Sequence, residues 1–243
     1  MNKKLSGVFT VILMINVLTS NIYAMEHLID RNDREYSEIL SLNDEILDSL
    51  NHGLVHSETG KDISEDEFKM EQAFKVYADI ELNQAEKVKS SLQEAKYKWQ
   101  VPVYTDIHTI LADITKVTSI SEDVPKDVRI ELEKNSNQWH VGAIHIFDGQ
   151  TVNYAETIKD TLEHGYDPKN YTYEIVSGIP GIRYPTAIVF NSEEKAEFII
   201  PAEPSAARAF EGNWPTAAQN TDLLSASNEE NDSSMPLYNY SDV

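Results

Sequence analysis

Cysteine is absent from the 243-residue chain, and lysine and arginine are scarce. Without a thiol the protein cannot form a disulfide, a thiolate zinc site, a cysteine-ligated iron–sulfur cluster or a thiol nucleophile. The 20 Lys and Arg residues stand against 41 Asp and Glu residues, which gives a formal net charge of −21. Because this charge repels phosphates and anionic headgroups, we expect neither nucleic acid nor a membrane surface as partner. The acidity serves solubility, or it attracts Ca²⁺ or a basic partner.

Long apolar runs are also absent, except near the N-terminus, where two lysines precede an apolar run from Leu5 to Leu18. A short polar segment then ends at Ala24. This order of a basic start, an apolar run and a small residue is typical of a secretory signal peptide. A membrane-spanning helix needs about 20 apolar residues, which is more than this run provides. We therefore predict a signal peptide over 1–24 and a secreted protein, extracellular or attached to the cell surface.

The segment 25–62 predicts an N-terminal helix followed by a linker. Its apolar side chains recur at helical spacing between acidic residues, and they are Tyr36, Ile39, Leu40, Ile46, Leu47 and Leu50. One face of the helix is therefore apolar, and we expect it to pack on the domain or on a partner. The aperiodic stretch that follows contains Gly53 and Gly60 and is typical of a linker.

Residues 63–201 predict an α+β domain. Ser64 and Glu67 have the spacing of a capping box, which predicts a short helix toward Ala73. Helical patterns also cover about 83–95 and 152–164, with a shorter one around Val128. Strands are predicted from alternating apolar residues at about 75–82, 97–104, 108–116, 139–147, 171–178, 186–190 and 196–201. Because hairpin-like connections accompany the helices, we expect a mixed, mainly antiparallel sheet with packed helices.

Two local features refine this domain. Pro102 has no backbone N–H, so its strand is expected at a sheet edge or bulged at that residue. After the last predicted strand, the segment 202–243 has no Lys or Arg beyond Arg208 and is crowded with Asn, Ser, Asp and Glu. We predict that this segment is a disordered acidic tail.

The stretch NQWHVGAIHIFDG carries two histidines, His140 and His145, in an apolar run. Both faces of the predicted strand are largely apolar, which indicates a central strand covered on each side. Side chains five residues apart point to opposite faces of a regular strand, so the two imidazoles would not share a metal ion. We expect them to be packed and hydrogen-bonded in or near the core. Acid–base chemistry stays open for one that borders a cleft.

A third histidine, His108, follows Asp106, and an aspartate beside an imidazole can orient it as a general base. Residues two apart in a turn also meet for purely local reasons. The sequence contains no His-Glu-x-x-His, no Gly-x-Ser-x-Gly and no phosphate-binding glycine loop. Catalytic residues are therefore not assigned, and His108, Asp106 and His145 are weak candidates. The acidic runs 64–67 and 191–194 fit capping and a turn better than a calcium loop, so we predict no metal or cofactor.

Aromatic residues on or beside the predicted strands suggest a binding surface, because exposed aromatic side chains on a rigid sheet bind peptides and glycans. Core packing is the alternative for most of them. Arg183 follows the loop Gly-Ile-Pro-Gly, and its planar guanidinium could bind a carboxylate or simply face solvent. The candidate ligand-binding residues are Trp99, Tyr104, Arg183 and Tyr184.

The strand series VYADIEL, YKWQVPVYTD, ADITKV, NQWHVGAIHIF and PTAIVFNSEEKAEFIIP resembles a group of secreted proteins of Gram-positive bacteria to which no function is assigned. The resemblance covers about 68–201 and rests on the strand pattern. It implies export from a bacterial cell, and it carries no functional residue over to this chain.

These observations favour a secreted, non-catalytic interaction or ligand-binding module, with an extracellular protein, peptide or glycan as partner. The alternative is a secreted hydrolase with a histidine-centred acid–base site. A concave pocket that joins a histidine to a carboxylate would favour the enzyme, and a flat aromatic patch would favour binding. A third hypothesis is that the amphipathic helix around 36–50 makes the protein a subunit of a surface assembly.

Overall fold

The computed structural model describes residues 28–32, 34–52, 62–64, 67–68, 70–78, 80, 82, 84–105, 108–118, 120–148, 153–217 and 234–243. The predicted signal peptide and most of the predicted linker lie outside these residues. Within them, no helix is both long enough and apolar enough to cross a membrane.

In the described part of the chain, eight strands form one mixed sheet, which confirms the α+β class. The strands are β1 (Phe74–Ala78), β2 (Lys96–Tyr104), β3 (His108–Lys116), β4 (Trp139–Asp148), β5 (Thr172–Val176), β6 (Thr186–Phe190), β7 (Ala196–Pro201) and β8 (Tyr238–Asn239). Their order across the sheet is β4-β3-β2-β1-β5-β6-β7-β8. Neighbours are antiparallel except β1 and β5, which run parallel where Tyr77 lies beside Val176. An N-terminal half-sheet (β1–β4) and a C-terminal half-sheet (β5–β8) therefore meet at one parallel pair.

The described residues contain six α-helices, and they are α1 (Arg34–Leu40), α2 (Asn43–Asn51), α3 (Val88–Glu94), α4 (Lys126–Lys134), α5 (Tyr154–Glu163) and α6 (Pro204–Phe210). The single helix predicted from about Glu26 to Leu50 is divided by a turn before Asn43, the polar residue that interrupts its apolar series. The capping contact near residue 64 forms, since Glu67 Oε2 accepts from Ser64 N at 2.9 Å. It leads only to a 3₁₀ turn over Met70–Gln72, so the helix predicted there is shorter than expected.

Helices cover both faces of the sheet. On one face, here called the α1–α2 face, Ile39, Ile46 and Leu50 pack on side chains of β2 and β3. Further along the same face, α3 and α6 pack on the C-terminal half-sheet. On the opposite face, here called the α5 face, α5 packs through Ile158 and Leu162 on β1 and on β5 to β7. Burial of each such aliphatic side chain contributes about 1.5–3 kcal/mol, so these layers hold the sheet together.

The edge position predicted for β2 is corrected by the structure, because β2 lies between β1 and β3. Its pairing with β1 ends at Gln100, which lies beside Phe74. Pro102 comes after that point and pairs only with Leu111 of β3 in these two ladders. The missing N–H of Pro102 therefore removes no hydrogen bond to β1, and an interior strand tolerates it.

The central position predicted for β4 is also corrected, since β4 is the outermost strand of the sheet. The prediction was wrong because it rested on the apolar residues on both faces of the strand. Val141, Ile144 and Ile146 pack only partly against the core, and Gly142 and Ala143 are exposed. A long apolar run in a sequence does not distinguish a doubly covered strand from an edge strand that retains open apolar surface.

The structure also differs from the tail predicted over 202–243. Residues 204–210 form α6, and residues 238–239 form β8 on the edge of β7. Leu237 and Tyr238 are buried in the two core layers on either side of the sheet. The acidic composition of the whole segment hid the short apolar stretch at its end, and 218–233 lies outside the described residues.

Candidate functional site

A β-bulge interrupts β4 beside its histidines. The register between β3 and β4 shifts after Asp113, and Gly142 is left without a partner on β3. A Cβ atom at Gly142 would lie 2.5 Å from Cγ2 of Thr115, far inside van der Waals contact. Glycine therefore allows the two strands to approach here, and the extra residue changes which side chains of β4 share a face.

The bulge places both histidines of β4 on the α5 face. His140 pairs with Thr115 and His145 pairs with Leu111, and these two partners share one face of β3. The prediction of opposite faces, which assumed a regular strand, is thereby corrected. Four strand positions of about 3.3 Å separate the two histidines, so they are still too far apart for one metal ion. In the described part of the chain, no group of three or more His, Asp or Glu side chains is placed to hold a metal.

A buried carboxylate, Asp113, lies at the centre of a polar cluster on this face. Gln100 Nε2 donates to Asp113 Oδ1 at 2.8 Å. Lys98 Nζ donates to Asp113 Oδ2 at 2.5 Å, and His145 Nε2 lies 3.1 Å from the same oxygen. Only 8 % of the Asp113 side chain is exposed, against 45 % of the His145 side chain. An exposed imidazole is therefore anchored by a carboxylate that is almost closed to solvent.

The cluster fixes the charge of Asp113 and the orientation of His145. Burial acts to raise the pKa of Asp113, but the hydrogen bond from His145 and the charge of Lys98 outweigh burial, and the pKa lies below its usual value. An ionised carboxylate only accepts hydrogen bonds, so His145 carries a proton on Nε2. Its Nδ1 has no hydrogen-bond partner among the described residues and is the ring nitrogen free to exchange a proton.

Two further buried groups lie within electrostatic range. Glu203, just before α6, is 7 % exposed, and burial raises its pKa against the opposing charges of His145 and Arg208. Burial, followed by the charges of Glu203 and Asp113, raises the pKa of Tyr154 well above its usual value. The two carboxylates are therefore shifted in opposite directions, Asp113 toward the ionised form and Glu203 toward the neutral form.

Two buried polar atoms beside the cluster lack a hydrogen-bond partner among the described residues, the hydroxyl of Tyr154 and Oε1 of Gln100. The Tyr154 ring packs edge-on against Phe74, with the ring centroids 5.4 Å apart. Phe74 in turn lies beside Gln100 in the register of β1 and β2. Both atoms therefore border the layer between the sheet and α5, where each has unused hydrogen-bonding capacity.

The outer side of β4 carries a second feature, an apolar groove. The groove has a volume of about 320 Å³ and lies between β4 and α2. It is lined by Ser49, His52, Val141, Gly142, Ala143, Ile144 and Ile146. This lining belongs to the α1–α2 face and the free edge of β4, so the groove and the Asp113 cluster lie on opposite faces of the same strand.

Helix α2, which contributes Ser49 to the groove, is acidic. All three charged residues of α2 are acids, and Asp44, Glu45 and Asp48 are all exposed. Glu45 Oε1 accepts a hydrogen bond from the backbone N–H of Val141 at 3.3 Å. One backbone donor of β4 is therefore bound by a carboxylate of α2 rather than by another strand.

Of the pair predicted from His108 and Asp106, Asp106 lies outside the described residues. His108 begins β3, is 7 % exposed and belongs to the α1–α2 face. Its backbone N–H donates to Thr105 Oγ1 at 2.9 Å, which closes the hairpin between β2 and β3. The pair stays a prediction.

The four candidate ligand-binding residues lie in three separate places. Trp99 is 3 % exposed beneath α1, where its Nε1 donates to Glu35 Oε2 at 3.0 Å. Tyr104 is partly buried on the α5 face of β2, and burial, followed by the charge of Glu156, raises its pKa. Arg183 and Tyr184 are exposed in the connection between β5 and β6. The structure therefore does not bring these four side chains into one aromatic patch.

Sequence reasoning found His145 but missed its partners. Asp113 lies in the stretch HTILADITK, on the opposite face of the strand from Ile110, Ala112 and Ile114, and the sequence alone assigned it no role. In the structure both faces of β3 are buried over residues 108–114. A single acid within a strand of apolar residues and threonine is the sequence feature that could have indicated a buried carboxylate.

No protein-family model matches the chain, and no curated protein or solved structure matches it at a significant level. The resemblance to secreted proteins of Gram-positive bacteria therefore stays a prediction. The function of this protein is proposed below from the residues described above.

Proposed function

We propose that the protein is an exported, non-catalytic binding module that takes an extended peptide segment of a partner protein as an additional strand on β4. The observation that carries this proposal is the outer edge of β4, a ten-residue strand that pairs with no described strand except β3. The backbone groups of an edge strand can form a ladder with any extended chain, and several peptide-binding domains use them this way. The signal-peptide pattern of residues 1–24 supports export.

The side chains of β4 support the same role. From Trp139 to Phe147 the strand contains no Asp, Glu, Lys or Arg. Edge strands that avoid pairing usually carry charges or proline, or are very short. Between Trp139 and Phe147, β4 has none of these devices except the bulge at Gly142 and the Glu45 carboxylate on Val141 N. The stretch 142–147 is therefore the part best suited to pair with a peptide.

The groove and its rim define the chemistry of the partner. Apolar side chains of a bound strand would fill the groove beside Ile144 and Ile146. Basic side chains would meet the acidic helix α2, where Glu45 lies beside Val141, in a protein whose net charge is −21. Because charge complementarity steers encounter and selects partners, the expected partner segment is extended, with apolar and basic residues facing α2.

Selection of ten-residue peptides from a random phage-displayed library tests this proposal. Selected peptides are expected to alternate in polarity and to be basic on the apolar face. Bound peptide should slow amide hydrogen exchange at alternate residues within 142–147, because only the amides that point away from β3 enter a new ladder. Protection confined to another part of the molecule, or a selection that yields no binder, would contradict the proposal.

Matched variants locate the binding surface. Ile144→Lys places a charge in the groove, and Ser49→Arg fills the groove from α2 without changing β4. Each is expected to weaken peptide binding roughly tenfold or more, since an unpaired charge or a steric block opposes apolar burial. Ile130→Lys on α4, where Ile130 is 47 % exposed, is the control and should leave affinity unchanged.

A second candidate function, a secreted hydrolase, is supported by the contact between His145 Nε2 and Asp113 Oδ2 at 3.1 Å. A carboxylate that holds one ring nitrogen leaves the other available as a general base toward water. Turnover of chromogenic ester, amide or glycoside substrates that is lost in His145→Ala and kept in His140→Ala would support it. Because the groove lies on the other face, Ser49→Arg should leave such turnover intact.

A further inference from the structure

A strand paired with β4 would present its side chains alternately to the two faces of the sheet. On the α1–α2 face they meet the apolar groove. On the α5 face they stand beside Ala143, His145 and Phe147, which share that face after the bulge. Of these three, only His145 offers a polar contact, and 45 % of its side chain is exposed.

The charges that face His145 come from three elements. Asp113 of β3 accepts from its Nε2, and Lys98 of β2 donates to the same carboxylate oxygen. Glu203, before α6, interacts with His145 at longer range and also with Arg208. Asp113 already accepts from Gln100, Lys98 and His145, so it has no need of a further donor.

The proton on Nε2 determines what Nδ1 can do. A neutral imidazole that donates from Nε2 to Asp113 has only an acceptor at Nδ1. A second proton turns Nδ1 into a charged donor, for which the described residues supply no acceptor. The site therefore lacks a carboxylate on its outer side, where the added strand would lie.

We propose that His145 recognises an acidic residue of the bound strand, through a hydrogen bond from Nδ1 to a carboxylate on the α5 face. This inference rests on the proposed strand addition at β4. The partner segment then has two different faces, apolar and basic toward α2, and acidic opposite His145. Since Nδ1 donates only in the imidazolium, binding of this segment takes up a proton wherever the free histidine is neutral.

The probe is the tightest peptide from the display selection, resynthesised with Glu, Gln or Lys at each position of the face that does not enter the groove. Calorimetry on the full chain at pH 6.0 and pH 8.0, in two buffers of different ionisation enthalpy, measures affinity and proton uptake. At one position Glu is expected to bind about three- to fivefold tighter than Gln at pH 6.0, the range of a partly exposed ion pair. The advantage should be smaller at pH 8.0 than at pH 6.0, because the contact requires a proton on Nδ1.

Two variants separate recognition from folding. His145→Gln should remove both the preference for Glu and the proton uptake, while the Gln peptide keeps its affinity. His140→Gln, on the same face but four strand positions away, should change neither. Equal affinity of the Glu and Gln peptides for the unaltered protein, together with protection of 142–147, would overturn the role of His145 and leave strand addition standing. Absence of any peptide on β4 would overturn both.

Discussion

The two half-sheets end in different ways. The N-terminal half-sheet ends at β4, which is ten residues long and exposes Gly142, Ala143 and His145. The C-terminal half-sheet ends at β8, which has only two residues and buries Tyr238 against Phe210, with the ring centroids 5.0 Å apart. A two-residue edge offers too few backbone groups to template another strand, whereas a ten-residue edge offers enough. This difference is the basis for the proposed addition of a partner strand to β4.

The interiors of the half-sheets differ as well. Every residue of β6 is buried, and Phe190 at its end is fully enclosed between α3 and the sheet. In the N-terminal half-sheet the α5 face instead buries Asp113 and Gln100 in a hydrogen-bonded cluster. A uniformly apolar layer stabilises the fold. A buried polar cluster instead fixes the orientation of its side chains, and it does so only when every hydrogen-bond partner is present. The half that carries the polar groups is thus also the half with the open edge.

The largest effect is expected in the apolar half. Phe190→Ala should lower the free energy of unfolding by about 3–5 kcal/mol, because it removes a fully buried aromatic ring and leaves a cavity. Urea unfolding followed by circular dichroism measures the loss. A decrease below about 1 kcal/mol would mean that the C-terminal half-sheet does not form the tightly packed core described here.

The next largest effect is expected in the polar half. Asp113→Ala should cost about 2–3 kcal/mol at pH 7, since it leaves Lys98 and Gln100 without their acceptor. The same variant should free the His145 ring, which NMR detects as a change in its tautomer and mobility. A stable variant with an unchanged imidazole spectrum would contradict the anchoring of His145 by Asp113.

The bulge gives a smaller and more local test. Gly142→Ala should destabilise the protein by about 1–2 kcal/mol, because the new methyl group overlaps Thr115 Cγ2. Thr115→Ala removes the overlapping methyl group. In the Thr115→Ala background, Gly142→Ala should therefore cost much less stability than it does in the unaltered protein. An additive double variant would show that the penalty at Gly142 arises from backbone conformation and not from this contact.

The smallest effect is the pH dependence of stability that arises from Asp113 and Glu203, and the two carboxylates change stability in opposite directions as the pH rises. Because the pKa of Asp113 is lowered in the folded state, Asp113 stabilises the protein at any pH above the ordinary pKa of an aspartate. This stability is lost as the pH falls through the lowered pKa of the folded state. Because the pKa of Glu203 is raised in the folded state, Glu203 stabilises the protein at any pH below the ordinary pKa of a glutamate. This stability is lost as the pH rises through the raised pKa of the folded state. Glu203→Gln should therefore stabilise the protein at pH 7 by less than about 1 kcal/mol and have no such effect at pH 3.5. Thermal melts at both values check the sign.

Local patterns were sufficient to predict most strands and the α+β class. The alternation in Trp99, Val101 and Val103, for example, depends only on neighbours along one strand. The features that failed are non-local. The edge position of β4 depends on which strand lies outside it, and the bulge depends on Thr115 approaching Gly142 from another strand. No periodicity within residues 137–149 carries that information.

The candidate site shows the same limit. His145 could be identified as a polar residue in an apolar strand, but its partners Asp113 and Lys98 come from two other strands and meet it only through strand register. For the aromatic residues the error is different, because a side chain considered for a binding surface is covered by a helix. Trp99 belongs to a type common on binding surfaces, and α1 covers it through Glu35. Residue type alone does not tell whether a neighbouring helix will cover a side chain.

The parallel pair at the centre of the sheet also bears on how the chain matures. The half-sheets join where Tyr77 lies beside Val176, two residues about a hundred positions apart. Closing so long a loop loses chain entropy before the pairing compensates for it, which slows folding. The central joint cannot form until the chain has been synthesised past β5. The antiparallel strands β1 to β4 can therefore pair first, and the sheet becomes continuous only when β5 reaches β1.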